Sequence, residues 1–247
     1  MRSRGQTISV CIASFNGEKY IKEQLDSIVS QLGSEDEIIV SDDGSTDLTC
    51  EMIRGYKDSR IKLIYGPQLG VVKNFENALM HVSGDVIFLA DQDDVWLNNK
   101  VEVSLNYLIE NVLIVSDCMI TDSTLRPVSE SFYKQNNSRP GVFNNILKNN
   151  YMGCCLAFNR GVLNVVLPFP DNIPMHDWWI GLISESIGQI SFVNEKLILY
   201  RRHENNASCT SDASKYTLFT KLRWRLSIIK ELIVRIFKYN IRRIWKV

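Results

Sequence analysis

The chain has 247 residues, of which 45% are hydrophobic and 23% are charged, a composition typical of a globular protein. Its 28 basic and 28 acidic residues cancel, which excludes a general electrostatic attraction to polyanions. The six cysteines form no C-x-x-C pair and have no histidine at zinc spacing, so we expect reduced thiols in a cytosolic chain. No secretory leader is expected, and no apolar run approaches the ~20 residues that cross a bilayer.

The first half of the chain alternates short apolar runs with segments of helical periodicity. Strands are predicted at residues 8–15, 37–41, 61–65, 85–90 and 112–116. Helices are predicted at residues 18–31, 46–56, 71–82 and 98–110, and Ser45 is expected to cap the second of them. This order predicts an α/β fold with a mostly parallel central sheet and helices on both faces.

The second half of the chain is less regular. Residues 121–150 are polar and rich in asparagine, so we expect a loop-rich insertion there. Short strands are expected at residues 154–158 and 190–200, with a helix at 178–186 between them. Residues 218–247 predict one long helix that is rich in lysine and arginine.

Three of the predicted strands end in unusual polar turns. These turns are Ala13-Ser14-Phe15-Asn16, Asp42-Asp43-Gly44-Ser45 and Asp91-Gln92-Asp93-Asp94. Because ligands of an open parallel sheet bind beyond the carboxyl ends of its strands, we expect the turns to line one site. Crowded carboxylates repel each other, so the site needs a cation or hydrogen-bond donors, and Mg²⁺ or Mn²⁺ suits carboxylate and phosphate oxygens. Such an ion would stabilise a nucleotide diphosphate as a leaving group.

Each of these turns also has a purely structural explanation. The Asp42–Ser45 segment is a good turn followed by a helix cap, and residues 91–94 would form an acidic surface loop. However, all three turns occur in order, and each follows an apolar strand. This coincidence favours the functional interpretation over the structural one.

These segments resemble the family-2 glycosyltransferases of the GT-A fold. The resemblance is carried by ISVCIASFNG, EIIVSDDGSTD and GDVIFLADQDDVW, and it continues weakly to about residue 206. It implies a nucleotide-sugar donor whose base is contacted by Asp42 or Asp43 and covered by the Phe15 ring. It also implies that Asp93 contacts the metal and that Asp91 lies nearer the donor sugar and ribose.

The resemblance also points to a catalytic base. An inverting transfer needs a general base that takes the proton of the acceptor hydroxyl. The segment Met175-His176-Asp177-Trp178-Trp179 resembles the base motif of the O-antigen and rhamnosyltransferase-like branch of the family, which makes Asp177 the expected base. Trp178 would offer an apolar platform to a sugar ring. The structural alternative is that Asp177 caps a helix and the tryptophans belong to the core.

Two further segments resemble ligand-binding parts of the family. Gly153 resembles a glycine loop near the acceptor, where a missing side chain lets the backbone approach a ligand, although it could equally turn the chain. Arg201, Arg202 and His203 resemble a late motif that closes over the diphosphate. The arginines would neutralise phosphate and His203 would ligate the metal, whereas solvated surface residues are the alternative.

The C-terminal segment is basic and amphipathic. Residues 221–247 carry nine lysines or arginines and one glutamate between apolar residues, with Trp224 and Trp245 toward the ends. This pattern predicts a helix that lies on the cytoplasmic surface of the inner membrane without crossing it. Packing against the core of the domain is the alternative. Nucleic acid is disfavoured as a partner because no RNA-recognition motif accompanies the segment.

Together these observations predict a GT-A domain at residues 1–217, with a donor half at 1–120 and an acceptor half at 121–217, followed by a membrane-associating helix at 218–247. The expected reaction moves a hexosyl residue, with inversion, from a UDP- or dTDP-sugar to a saccharide on a polyprenyl diphosphate lipid, in O-antigen or capsule assembly. A glucosyl or galactosyl donor is preferred, and dTDP-rhamnose is the alternative. A sugar-nucleotide pyrophosphorylase is disfavoured because no Gly-rich basic loop follows the first strand. A non-catalytic binding module is disfavoured because no acidic position is missing.

Overall fold

The computed structural model describes residues 5–204, 206 and 217–244. The strands are β1 (Ile8–Ser14), β2 (Glu37–Asp42), β3 (Ile61–Tyr65), β4 (Val86–Asp91), β5 (Val95–Trp96), β6 (Leu113–Thr121), β7 (Pro127–Ser129), β8 (Leu156–Asn159) and β9 (Ile190–Arg201). The helices are α1 (Ile21–Val29), α2 (Thr49–Gly55), α3 (Val71–Met80), α4 (Lys100–Leu108), α5 (Phe132–Asn136), α6 (Val142–Leu147), α7 (Leu163–Val166), α8 (His176–Ile187) and α9 (Leu218–Ile244). Within these residues the strands form one sheet in the order β3-β2-β1-β4-β8-β6-β9-β5, and β7 pairs with β6.

The first half of the sheet is parallel and is organised around β1. This strand pairs in parallel with β2 on one side and β4 on the other, and β3 continues the sheet beyond β2. Ile8, Val10, Cys11 and Ile12 are fully buried, as expected for a strand covered on both faces, and only Ala13 near the carboxyl end is partly exposed. Its register sets Ser14 opposite Asp42 and Ala13 opposite Asp91. The polar turns therefore leave the sheet from one edge, as the sequence predicted.

The second half of the sheet is mixed, which differs from the mostly parallel arrangement that we expected. Strand β8 runs antiparallel to both β4 and β6, and β9 is parallel to β6 but antiparallel to β5. Phe88 pairs with Ala157, so the beginning of β8 lies toward the carboxyl end of β4. The reversed direction of β8 thus brings the short 3-10 turn Gly153–Cys155 to the edge where the acidic turns emerge.

Two local predictions were wrong. Ser45 does not cap a helix, because its hydroxyl donates back to Asp42 Oδ2 at 2.6 Å and α2 begins only at Thr49. Residues 121–150 are not simply a loop, since they contain β7, α5 and α6. These elements have three to six residues each, which is too short for a helical or strand period to show in the sequence.

The long helix α9 packs one of its faces onto α6, α7 and α8. Ile228 and Leu232 are buried on this face, and the Arg235 guanidinium donates to backbone carbonyls of α7 and of the segment that follows it. Core packing, the alternative considered for this segment, therefore holds for one side of the helix. Within the described part of the chain, no helix combines the length and the apolar character needed to cross a membrane.

Because the position of the site depends on β1, a cavity in this strand should cost considerable stability. Ile12→Ala removes a fully buried side chain at the centre of the sheet, and we expect it to lower the free energy of unfolding by about 2–5 kcal/mol. Ile109→Ala makes the same chemical change at a side chain that is 77% exposed and should cost no more than about 0.5 kcal/mol. Urea unfolding followed by circular dichroism measures both, and equal costs would contradict this account of the core.

Candidate active site

A cavity of about 1020 Å³ opens at the sheet edge where β1, β2 and β4 end. Both halves of the chain contribute to its walls. Its lining includes the predicted site residues Ala13, Ser14, Phe15, Asp43, Asp91, Asp93, Gly153 and Asp177. The acidic turns of the first half and the base motif of the second half therefore face one cavity.

Gln92 joins the β1 turn to the β4 turn. Its side-chain amide accepts from Phe15 N at 2.9 Å and donates to Phe15 O at 2.9 Å. A side chain at Gly17 would collide with this amide, since a Cβ built there would lie 2.2 Å from Gln92 Oε1. The Phe15 ring remains 55% exposed on the cavity wall, in a position suited to cover a flat ligand.

The two aspartates of the β2 turn have different environments. Asp42 is 1% exposed, does not line the cavity, and accepts from the Ser14 and Ser45 side chains at 2.8 and 2.6 Å. Burial disfavours its ionised form, but the hydrogen bonds outweigh burial and hold its pKa below the ordinary value. Asp43 lines the cavity and accepts from the backbone N–H groups of Gln68 and Gly70, which also line it. Asp42 therefore organises the turn, while Asp43 faces the ligand space.

Asn16 connects the first two turns rather than facing the cavity. Its backbone N–H donates to Ser45 Oγ at 2.8 Å, and its Oδ1 accepts from Thr46 N at 2.9 Å. It adopts a left-handed conformation with φ of 49°, which asparagine tolerates better than most residues. The predicted substrate contact at Asn16 is not seen in this arrangement.

Asp91 ends β4 at the cavity wall, among other carboxylates. Its enclosure raises its pKa to about 8, and the negative charges of Asp93 and Asp177 add to the effect. Ionisation of a carboxyl group in this environment is unfavourable unless a cation lies near it. The cavity is therefore an electrostatically favourable place for a positively charged ion.

Asp93 is held by residues that come from the end of β9. Its Oδ2 lies 2.7 Å from His203 Nε2 and accepts from Asn206 Nδ2 at 3.2 Å. The His203 ring stacks on Tyr20, with ring centroids 4.9 Å apart. The two predicted metal-binding residues are thus direct neighbours, although they lie 110 positions apart in the chain.

Arg201 stabilises the acidic turn from behind. It is 3% exposed and does not line the cavity. Its guanidinium donates to Asp93 O at 2.7 Å and to Ser123 O at 2.8 Å, and it forms an ion pair with Glu23. These contacts use the N–H donors of the guanidinium. Arg201 therefore positions the acidic turn and does not make the predicted contact with phosphate.

Three other predicted ligand residues, Trp178, Arg202 and His203, also lie outside the cavity lining. Trp178 is 8% exposed and donates from its indole N–H to Asn145 O at 2.6 Å, so it packs between α8 and α6 and offers no sugar platform. Arg202 does not line the cavity, and its Nε and Nη2 have no hydrogen-bond partner within the described residues.

Asp177 lies in the first turn of α8 and lines the cavity. Burial raises its pKa to about 6, and hydrogen bonds from Trp178 N, Asn149 Nδ2 and the Gly153 backbone partly offset this effect. The contact from Asn149 measures 3.1 Å. A carboxylate with a pKa near the working pH can accept a proton during a reaction and release it afterwards.

His176 and Gly153 form the wall next to Asp177. The His176 ring stacks on Phe75 with centroids 4.0 Å apart, and burial lowers its pKa to about 3, so the imidazole is neutral. A Cβ at Gly153 would lie 2.8 Å from His176 Nε2. The glycine therefore permits a close approach of the chain to the imidazole.

Two groups of side chains in the site have metal-binding chemistry. Asp91, Asp94 and Cys154 offer ligand atoms within 4.8 Å of one another. However, a hydrogen bond to Cys155 and burial raise the pKa of the Cys154 thiol, which makes it a poor ligand for a hard cation. Asp91 and Asp93 both line the cavity and supply carboxylate oxygens, which suit Mn²⁺ or Mg²⁺ better, and the His203 imidazole lies next to Asp93.

Sequence reasoning missed three residues of this site. Gln92 was only the middle residue of an acidic motif, Asn149 was one asparagine in an asparagine-rich segment, and Asn206 followed a basic motif. Each acts through a hydrogen bond to a residue distant in sequence. The available signal was the position of Asn149 four residues before Gly153, just ahead of the segment that resembles the acceptor loop.

A mixed sheet with acidic turns at one edge, and a cavity into which Asp91, Asp93 and Asp177 face, defines an α/β protein with one candidate active site. The profile of glycosyl transferase family 2 matches residues 9–167, which is more than half of the chain. The protein therefore belongs to glycosyl transferase family 2 and is a glycosyltransferase.

Relatives of named function support this assignment. The chain is 26% identical to the Escherichia coli UDP-Glc:alpha-D-GlcNAc-diphosphoundecaprenol beta-1,3-glucosyltransferase WfgD, over 84% of this chain and 81% of the relative. It is 27% identical to the Shigella flexneri dTDP-rhamnosyl transferase RfbG, over 79% of this chain and 72% of the relative. The two relatives use different sugars, so identity at this level does not decide the donor.

Solved structures confirm the GT-A fold. S. aureus TarS 1-349 in complex with UDP-GlcNAc aligns with a TM-score of 0.71 at 20% identity, covering 91% of this chain and 66% of that chain. The Mycobacterium tuberculosis glucosyl-3-phosphoglycerate synthase, in complex with Mn²⁺, UDP and phosphoglyceric acid, aligns with a TM-score of 0.60 at 22% identity, covering 94% of this chain and 78% of that chain. The predicted α/β fold with a GT-A sheet is therefore confirmed, and these similarities support the fold alone.

The environment of Asp177 predicts an acid limb in the pH profile. If Asp177 must be ionised to accept a proton, kcat/KM should fall about tenfold per pH unit below about pH 6, where the carboxyl becomes protonated. Asn149→Ala removes a hydrogen bond that lowers this pKa, so the limb should move to higher pH by roughly one unit. Asp91, which carries the facing carboxyl group, is unchanged in this variant.

The matched control for this measurement is Asn144→Ala, which removes an exposed asparagine of α6 whose amide donates to Pro140 O instead. It should leave the limb where it is in the wild-type protein. A limb that does not move in Asn149→Ala, or that moves equally in both variants, would contradict the assignment of the limb to Asp177.

Proposed function

We propose that this protein is an inverting hexosyltransferase that transfers a sugar from a UDP- or dTDP-sugar to a saccharide carried on a polyprenyl diphosphate lipid, in O-antigen or capsular polysaccharide assembly. The observation that carries the proposal is that carboxylates suited to bind a cation and a carboxylate suited to accept a proton line the same cavity. Asp91 and Asp93 come from the donor half, at residues 1–120, and Asp177 comes from the acceptor half, at residues 121–217.

The chemistry proposed for the acceptor half is proton removal. The hydroxyl of the acceptor saccharide gives its proton to an Asp177 carboxylate oxygen as the hydroxyl oxygen attacks the anomeric carbon of the donor. The bond from that carbon to the diphosphate breaks on the opposite face, so the configuration inverts. Asn149 holds the carboxylate at 3.1 Å, which keeps it oriented for this step.

The chemistry proposed for the donor half is binding and charge neutralisation. Asp43 would accept a hydrogen bond from the base N–H, Phe15 would cover the base, and Ala13 and Ser14 would form the floor beside it. Asp93 and His203 would hold a divalent ion, with Asp91 nearer the donor sugar and ribose. When bound, Mn²⁺ or Mg²⁺ stabilises the negative charge of the departing diphosphate.

For the donor sugar, we propose a glucosyl or galactosyl residue on UDP. The name of the E. coli relative specifies UDP-Glc. Its alignment covers 84% of this chain, compared with 79% for the S. flexneri relative. A specific observation also favours a second candidate, rhamnosyl transfer from a dTDP-sugar, because the S. flexneri relative is a dTDP-rhamnosyl transferase of similar identity. The donor test below separates the two nucleotides.

For the acceptor and location, we propose a lipid-linked saccharide at the cytoplasmic surface of the inner membrane. The E. coli relative is named for a diphosphoundecaprenol-linked acceptor. Residues 218–247 would hold the protein to the membrane as a peripheral helix, and residues 1–217 would form the transferase domain. The side of α9 that faces away from α8 carries large exposed apolar side chains, which supports this division.

Calorimetric titration with UDP, dTDP, GDP, CMP and ADP, each with and without Mn²⁺, tests the donor proposal. We expect UDP or dTDP to bind at least about tenfold more tightly when Mn²⁺ is present, because an ion held by Asp93 would neutralise the charge of the diphosphate. Asp93→Ala should abolish this metal-dependent gain and the transfer activity without unfolding the protein. Asp26→Ala, which removes a carboxylate on the outer side of α1, should change neither. If Mn²⁺ does not change the affinity for any of these nucleotides, the donor proposal is refuted.

The two aspartates of the β2 turn should respond differently to mutation. Asp43→Ala should weaken UDP or dTDP binding by about tenfold or more, because a charge-assisted hydrogen bond to the base is lost. Asp42→Ala should instead lower the free energy of unfolding by about 3 kcal/mol, because it leaves buried donors of Ser14 and Ser45 without an acceptor. Calorimetry and urea unfolding on both variants measure the contrast, and the reverse pattern would assign the base contact to Asp42.

A further inference from the structure

The outward face of α9 is apolar over most of its length. Spacings of three and four residues place a row of side chains on the side opposite the buried Ile228 and Leu232. Each member of this row is more than half exposed: Leu218, Phe219, Leu222, Leu226, Ile233 and Phe237. Exposure of so many large apolar side chains to water is unfavourable in free energy, unless a binding partner covers this face of the helix.

The short helix α6, a neighbour of α9, also exposes large apolar side chains. Phe143 is 86% exposed and Leu147 is 65% exposed, although α6 packs against α9. Arg225 of α9 binds the end of α6, since its Nε and Nη2 donate to Leu147 O at 3.1 and 2.5 Å. We call the outward row of α9 together with Phe143 and Leu147 the amphipathic surface.

The basic residues near the amphipathic surface indicate which kind of partner it binds. Arg223 and Lys230 border a shallow groove on α9 that Phe219, Leu222 and Leu226 line. Beyond α6, Arg139 and Lys148 are exposed. Apolar side chains that enter the acyl boundary, flanked by cations that meet lipid phosphates, are the pattern of interfacial helices on anionic membranes.

The amphipathic surface is continuous with the wall of the active-site cavity. Helix α6 ends at Leu147, and the next two residues, Lys148 and Asn149, line the cavity. Asn149 then donates to Asp177 at 3.1 Å. The proposed base is therefore connected, through one hydrogen bond and two residues of chain, to the exposed apolar end of α6.

We propose that α6 and α9 form a single docking surface for an anionic lipid bilayer, and that α6 places the acceptor side of the cavity at the lipid–water interface. The bilayer contact stands on the surface alone, whereas its role in acceptor delivery rests on the proposed transferase function. A saccharide tethered to a lipid would then reach Asp177 without its lipid leaving the membrane. Truncation of α9 is a poor test because it would expose the core residues that α9 covers.

The test measures sedimentation of the full-length protein with vesicles that contain no saccharide and no nucleotide. The vesicles are phosphatidylcholine with or without phosphatidylglycerol. The two variants are Phe143→Ser with Leu147→Ser on α6, and Leu226→Ser with Phe237→Ser on α9. The control is Ile109→Ser with Val128→Ser, which changes two apolar side chains of 77% and 60% exposure that lie outside α6 and α9.

We expect the wild-type protein and the control to bind the phosphatidylglycerol vesicles and each surface variant to bind at least about tenfold more weakly, since each loses the burial of two large apolar side chains. Equal thermal midpoints would establish that the variants fold. If the α6 double variant unfolds, Phe143→Ser alone serves, because this side chain is the most exposed of the surface.

Three results would overturn the proposal. Wild-type binding by the α6 variant would remove α6 from the surface, and equal binding to vesicles without phosphatidylglycerol would remove the anionic lipid. Absence of wild-type binding, together with a dimer in analytical ultracentrifugation that both surface variants abolish, would identify a second copy of the chain as the occupant. Because the vesicles carry no substrate, failure of nucleotide binding in the donor test leaves this result unaffected.

Discussion

The register of β1 is the constraint on which the rest of the site depends. This strand pairs with β2 and β4 at once, so it alone decides that Ser14 lies opposite Asp42 and that Ala13 lies opposite Asp91. A slip of one residue would turn every side chain to the other face of the sheet and separate the turns. The paired hydrogen bonds between Gln92 and Phe15 secure the register beyond the last ladder bond.

Electrostatics divide the cavity into two parts with different tasks. On one side, Asp91 and Asp93 lie close together, and burial, together with the negative charges of Asp93 and Asp177, raises the pKa of Asp91 to about 8. On the other side, burial raises the pKa of Asp177 only to about 6, because hydrogen bonds to its carboxylate offset part of the desolvation. The first environment favours a cation, and the second favours a group that takes and releases a proton.

The sequence predicted the parallel half of the sheet well, because buried parallel strands are continuous apolar runs and their ends carried distinct polar turns. It predicted less of the second half, where β8 runs backward and short elements occupy residues 121–150. The roles of Arg201 and Trp178 depended on which way a side chain points, and that is decided by distant partners such as Glu23 and Asn145. Local sequence patterns locate charged and aromatic residues, but they do not show whether those side chains already form hydrogen bonds or ion pairs within the protein.

The contacts of Asp93 have a consequence for biosynthesis. Its carboxylate is bound by His203 and Asn206, and its carbonyl is bound by Arg201, so the acidic turn is completed by residues from the end of β9. A ribosome makes the N-terminal part of the sheet long before it reaches these residues. A nascent chain can therefore pair β1 with β2 and β4 without yet possessing a finished site. Completion of the acidic turn is therefore coupled to synthesis of the residues at and beyond the end of β9.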